Sequence, residues 1–118
     1  MLLEKLLSMI KCDKQRLGKS DVCSGDVYRI TLYYNGNRCV FTFHDNYKNE
    51  STKRDFVYCL VLDAQAYEST RDTYEFMREF GYKSMDEARK VRKACEKQSE
   101  RLHRLFNQNE IDILSTIE

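Results

Sequence analysis

The 118-residue chain sets 20 lysines and arginines against 19 aspartates and glutamates, is 42% hydrophobic and 33% charged, and contains no proline. That length supports one domain over residues 1–118 with a core that needs no disulfide staples. The net charge of +1 excludes a global attraction to nucleic acid or anionic lipid, so any such binding must come from local charge. Five cysteines without regular spacing, and no basic-then-apolar leader pattern, predict a reduced cytoplasmic setting; the longest apolar run, Phe56 to Leu62, is far below the roughly 20 residues of a membrane span.

In chain order, Leu2, Leu3, Leu6, Leu7, Met9 and Ile10 surround Glu4, Lys5 and Ser8 with a helical period, which predicts a short N-terminal helix within Met1 to Lys11. From Cys12 to Asp26 the chain is polar and punctuated by Gly18, Ser20, Asp21, Ser24 and Gly25, so a connection with at most a short edge strand is expected. Asn35-Gly36 then lies between two aromatic and β-branched runs, the pattern of a two-residue hairpin. That turn would pair Tyr34 with Asn37, Leu32 with Cys39, Ile30 with Phe41 and Tyr28 with Phe43 on a core face. Arg29, Thr31, Tyr33, Arg38, Val40 and Thr42 take the opposite face, with Tyr33 directly across from Arg38.

Asp45 to Lys53 reads as a polar loop. Thr52 with Asp55 resembles a capping box, and the run from Phe56 to Leu62 suits either a buried strand or a helix continuing through Asp63 to Ala66; the cap favours the helix. Ser69 or Thr70 is the expected cap of a second helix carrying Tyr74, Phe76, Met77 and Phe80, with Gly81 to end it. Ser84 and Glu87 then read as a second capping box, opening a long helix whose Ala88, Val91, Cys95, Gln98, Leu102 and Leu105 form one seam. Asn107, Gln108 and Asn109 interrupt it before Ile111, Ile113, Leu114 and Ile117 make a final turn or two. The fold class is therefore α+β: an antiparallel β-hairpin, three-stranded if the edge strand forms, packed on a bundle of three to four helices.

Catalytic chemistry is thinly represented. A nucleophile needs a base within reach, and the histidines are His44 and His103, whereas Cys39, Cys59 and Cys95 fall on apolar faces where an inert buried thiol is the ordinary reading. No two cysteines have zinc-ligand spacing, the glycines form no phosphate cradle, and no metal or cofactor is expected. Asp63, among apolar residues on a helix, is costly to bury without a partner; a cap or a pairing with a neighbouring basic group is the expected resolution.

Two surfaces stand out instead. Lys90, Lys93, Lys97, Arg101 and Arg104 recur at steps of three and four, opposite the seam, and between Ser84 and Phe106 seven basic residues face four acidic ones. Such a stripe can dock on an acidic protein surface or follow phosphates; its ordinary alternative is a solvated face with Glu96 and Glu100 in internal pairs. Arg29, Tyr33 and Arg38 on the outer hairpin face combine residue types enriched at interfaces and at stacking platforms for single-stranded nucleic acid. Cross-strand stacking in solvent, or cover by the N-terminal helix, is the bland alternative.

The C-terminal half carries a resemblance. The apolar run closing on Asp63-Ala64, the aromatic helix ending Glu79-Phe80-Gly81-Tyr82, the capping Ser84, then Ala88, Ala94-Cys95 and the closing Leu102, Leu105 and Phe106 resemble a family of small phage and prophage proteins, over about Asp55 to Phe106. Members resemble a β-hairpin followed by three helices, and most have no assigned activity; they carry an acidic residue after the glycine-tyrosine pair and one more residue before the serine, whereas Lys83 stands directly before Ser84 here. The resemblance implies a mobile-element accessory protein, a class that includes anti-CRISPR proteins. The expected function is a non-enzymatic, stoichiometric inhibitor of a host defence complex, bound to a host protein or nucleoprotein, with a small nucleic-acid-binding protein as the alternative. The apolar segments at both ends leave open a homodimer interface or a longer core.

Overall fold

The computed structural model describes residues 1–117. The element order is α1 (Leu3–Met9), β1 (Lys11–Lys19), β2 (Asp26–Tyr34), β3 (Asn37–Asp45), α2 (Lys53–Glu68), α3 (Thr73–Phe80), α4 (Met85–Leu105) and α5 (Gln108–Leu114). The three strands form one antiparallel sheet in the order β1-β2-β3. This is the expected α+β class, with a third strand present and five helices, two of them barely two turns long.

The hairpin is built as its turn chemistry dictates. Asn35 and Gly36 both have positive φ, 51° and 79°, the conformation that a two-residue turn needs and that asparagine and glycine tolerate best. The register that follows pairs Tyr34 with Asn37, Leu32 with Cys39, Ile30 with Phe41 and Tyr28 with Phe43. Tyr28, Ile30, Leu32, Tyr34, Cys39 and Phe41 are buried in the main core, Phe43 packs at its edge, and Arg29, Arg38, Val40 and Thr42 are exposed on the other side.

The stretch expected to be a connection is instead the nine-residue edge strand β1. Its alternation is hidden because two of its core-side positions carry cations. Cys12, Lys14 and Arg16 lie opposite Leu32, Ile30 and Tyr28, and Lys14 fills its site by lying over the Tyr28 ring at 4.3 Å and near the Phe56 ring at 5.6 Å. Its ammonium also donates to the Asn49 and Ser51 carbonyls and pairs with Asp45 at 3.5 Å. Asp45 is fully buried and organises the following loop, its carboxylate accepting from the Tyr47 N–H, the Ser51 N–H and the Ser51 hydroxyl. Burial pushes its pKa up, but these donors and Lys14 outweigh that and hold it below the usual carboxylate range.

The run from Phe56 to Leu62 is helical, and Asp55 closes its start by accepting from the N–H and hydroxyl of Thr52. Phe56, Val57, Leu60, Val61 and Ala64 face the core, while Leu62 points out at 49% exposure, so α2 keeps one open stripe. α3 is capped by Asp72, which accepts from Glu75 N–H, and not by Ser69 or Thr70. Thr70 is buried with its hydroxyl donating to the Ala66 and Tyr67 carbonyls, so it finishes α2 rather than starting α3. Gly81, at φ 74°, ends α3. Ser84 caps α4 through the Glu87 N–H; the return half of a capping box does not form there, whereas Asn107 and Glu110 make both halves of one for α5.

The two apolar ends are resolved by packing. Leu6 and Leu7 of α1 and Ile10 directly after it, together with Ile111, Leu114 and Ile117 around α5, join the strands, α2 and the C-terminal part of α4 in one core. The Tyr34 hydroxyl bonds Glu110 and the Tyr34 and Phe106 rings meet at 4.9 Å, which pins α5 to the hairpin. Both ends therefore lengthen the core, and α1 does not cover the outer sheet face. A smaller cluster of Phe76, Ala88 and Cys95 seats α3 on α4.

Candidate functional site

Because the helices all pack to one side, the outer face of the sheet is open. It carries Lys11, Asp13 and Gln15 from β1, Arg29, Thr31 and Tyr33 from β2, and Arg38, Val40, Thr42 and His44 from β3. Tyr33 and Arg38 are directly paired across the ladder, but the tyrosine is held elsewhere, its hydroxyl donating to Asp13 at 3.1 Å. Arg29 donates to Gln15 at 3.1 Å. Arg38 has no hydrogen bond or ion pair among the described residues and stands beside the turn, in a groove of about 560 Å³ shared with Met9, Lys11 and Tyr33.

The α4 stripe divides on folding. Its side next to β3 presents Lys97 and Arg101, which with Ala94, Gln98, Phe41, Thr42 and Asp63 line a groove of about 300 Å³. Arg101 and Arg104 lie close enough to Cys39 for their charges to oppose the upward push that burial gives its thiol pKa. Lys93 instead borders a groove of about 190 Å³ with Tyr67, Thr73, Arg89, Arg92 and Glu96. Lys90 lies one turn back toward the start of the helix. Two stripe residues, Lys97 and Arg101, thus line a groove with β3, and Lys90 and Lys93 stand apart from it.

Among the described residues, neither Glu96 nor Glu100 forms an ion pair with a lysine or arginine of the stripe. Glu96 accepts from the Tyr67 hydroxyl at 2.8 Å. Among the described residues, Lys90, Lys93, Lys97 and Arg104 make no hydrogen bond or ion pair, and Arg101 donates to the side-chain amide oxygen (Oε1) of Gln98 at 2.7 Å. Arg92, which the stripe excludes, is structural: it bonds the hydroxyl and carbonyl of Thr70 and lies over the Tyr67 ring at 4.5 Å.

Asp63 faces the floor of the β3–α4 groove, more than half buried. Burial raises its pKa, and donation from Gln98 at 3.4 Å and Cys59 at 3.6 Å only partly offsets this. Arg101, Gln98 and Asp63 therefore form a short polar chain linking the groove's rim to its floor. The same surroundings suppress thiol reactivity: burial first, then the Asp63 charge, pushes Cys59 up to about 12 and Cys95 up to about 11, so both are protonated at neutral pH.

Two serine–histidine groupings appear that the sequence does not announce. Ser99 and His103 both bond the same oxygen of Glu68, at 3.0 and 2.7 Å, so the carboxylate stands between hydroxyl and imidazole, where a catalytic triad needs the imidazole in the middle. Ser20 meets His44 Nδ1 at 2.7 Å, but its oxygen already accepts from the N–H groups of Val22 and Cys23, which makes it the organiser of the β1–β2 loop. Among the described residues no group of three or more histidine, cysteine, aspartate or glutamate side chains is placed to hold a metal, and no helix is long and apolar enough to cross a membrane.

Sequence reasoning missed Asp45 and Lys14, and it named Thr42, Gln98 and Asp63 without placing them in one groove. Asp45 had a local signal, an aspartate two residues before Tyr47 and six before Ser51 in a polar loop; the groove had none, because its walls come from three separate elements. No protein-family model, curated protein or solved structure matches the chain.

Proposed function

We propose that the chain works by binding, not catalysis, as a mobile-element accessory protein in the host cytoplasm that occupies an acidic surface of a host protein or nucleoprotein defence complex, in the manner of an anti-CRISPR inhibitor. The observation that carries the binding reading is the adjacency of cations on α4 to an open sheet face: Lys97 and Arg101 share a groove with Phe41 and Thr42 of β3, Arg104 follows them on the same helix face, and the outer side of β3 exposes Arg38, Val40 and Thr42. Cations beside β-branched apolar surface suit a protein interface, where apolar contact gives affinity and charge gives orientation and rate. The mobile-element context rests on the resemblance of the C-terminal half.

A nucleic-acid partner fits less well. Strand-borne platforms for single-stranded RNA or DNA stack two or three bases on aromatic rings, and the open face offers Tyr33 alone, tied to an aspartate that repels phosphate. The test is capture from host lysate by the parent and by Lys97→Glu/Arg104→Glu, with a salt titration of whatever binds. A protein partner lost with the double variant and only mildly salt-sensitive supports the reading. Equal capture by both proteins, or binding to nucleic acid that collapses between about 50 and 200 mM salt, rejects it.

A further inference from the structure

The two edges of the sheet are treated differently. β1 is blunted as edge strands usually are: its register shifts between Arg16 and Gly18, and Lys14 and Arg16 place cations at its core-side positions. β3 has neither the register shift nor core-side cations, and what lies near it is α4, which shares a groove with Phe41 and Thr42. It runs nine residues in unbroken register from Asn37 to Asp45, without bulge or proline, and its exposed middle positions are Val40 and Thr42.

The hairpin geometry states which groups that edge offers. A two-residue turn makes Tyr34 and Asn37 a hydrogen-bonded pair, so Leu32 with Cys39 and Ile30 with Phe41 are bonded pairs too. Arg38, Val40 and Thr42 then aim their N–H and C=O groups away from β2, and among the described residues no backbone group answers them. Alongside runs the groove whose far wall is Ala94, Lys97 and Arg101 of α4; Arg104 lies three residues on, on the same face of the helix.

We propose that this edge accepts an extended acidic segment of a partner protein as a fourth antiparallel or parallel strand, its backbone pairing with Arg38, Val40 and Thr42 and its carboxylates meeting Lys97, Arg101 and Arg104. The proposal deepens the binding reading above and rests on it. Strand addition draws affinity from main-chain bonds and specificity from alternate side chains. The wall's charge selects the occupant: a basic strand is repelled, and a second copy would bring Arg38, Lys97, Arg101 and Arg104 against their own equivalents.

The test uses the full chain and a labelled nine-residue peptide of alternating glutamate and valine, with the lysine-valine peptide and a ten-nucleotide thymidine strand as controls. Binding is followed by fluorescence anisotropy and by amide exchange. The acidic peptide alone should bind, and it should slow exchange at the amides of Arg38, Val40 and Thr42 at least tenfold while leaving Cys39 and Phe41 unchanged. Val40→Pro removes one outward N–H at a position where an edge strand tolerates proline, so it should keep the fold and weaken binding at least tenfold. If that variant unfolds, the exchange pattern of the parent decides alone.

Peptide binding that Lys97→Glu/Arg104→Glu abolishes but that leaves the β3 amides unprotected overturns strand addition and spares the binding reading. Failure of the acidic peptide to bind, binding of the thymidine strand in its place, or self-association that protects the same amides without peptide overturns the proposal.

Discussion

Leu102→Ala separates the core-facing side of α4 from its exposed basic side. Leu102 is 1% exposed and sits in the main core, with the sheet and α2 as its walls. Removing three carbons loses roughly 2.4 kcal/mol of transfer free energy at about 0.8 kcal/mol each. Neither wall collapses freely, so a hole of about 60 Å³ adds roughly 1.4 kcal/mol at the usual penalty per unit of cavity volume. The expected loss is therefore about 4 kcal/mol, or a fall in melting temperature of roughly 16 °C for a domain of this size. Urea unfolding and calorimetry on the purified variant measure both quantities. A loss below about 1 kcal/mol would refute the placement of α4 against the sheet. The companion Lys97→Glu/Arg104→Glu should stay within about 0.5 kcal/mol of the parent, because exposed unpaired charges contribute little to stability.

Asp63→Asn should raise stability at pH 7: the folded protein raises this carboxyl's pKa, so stability falls as pH rises from the ordinary carboxylate range through the folded value, and the gain should vanish on acidification in urea titrations run at several pH values. Asp45→Asn has the opposite sign. The folded protein lowers this pKa, so its contribution is present above the ordinary range and lost as pH falls through the lowered value; the variant should lose about 1 to 3 kcal/mol at pH 7 and less in acid, where the parent has weakened. Gly25→Ala should be severely destabilising, since a Cβ there would lie 1.6 Å from the Asp45 carbonyl oxygen, and circular dichroism melting checks it. Iodoacetamide at pH 8 on the native protein should spare Cys39 and Cys95, which are buried, and Cys59, whose thiol burial and the Asp63 charge keep protonated, while all five react once unfolded; rapid native labelling of Cys59 would show that its environment has been misread.

Local signals determined most of the architecture. Asn35-Gly36 set the hairpin register because a turn that needs two positive φ values admits few residues, and a period of two then assigns every strand side chain to a face. Thr52 with Asp55, the glycine at position 81 and Ser84 marked helix ends for the same kind of reason, each acting within one turn of itself. Where a residue's role depends on distant partners, the sequence was silent or misleading. β1 looked like a connection because Lys14 occupies a core-side site, a choice that makes sense only once the Tyr28 and Phe56 rings and Asp45 surround its ammonium. Asp72 displaced Ser69 and Thr70 as the α3 cap because Arg92, 22 residues on, draws Thr70 into the end of α2.

The candidate surface shows the same division. That Lys97, Arg101 and Arg104 share a face, and that Arg38 lies opposite the core, follows from periodicity alone. Their meeting along one open strand edge does not, because it depends on where α4 crosses the sheet. That crossing is set by which side chains of α2, α4 and β3 fit together, a property of packed volumes and not of spacing.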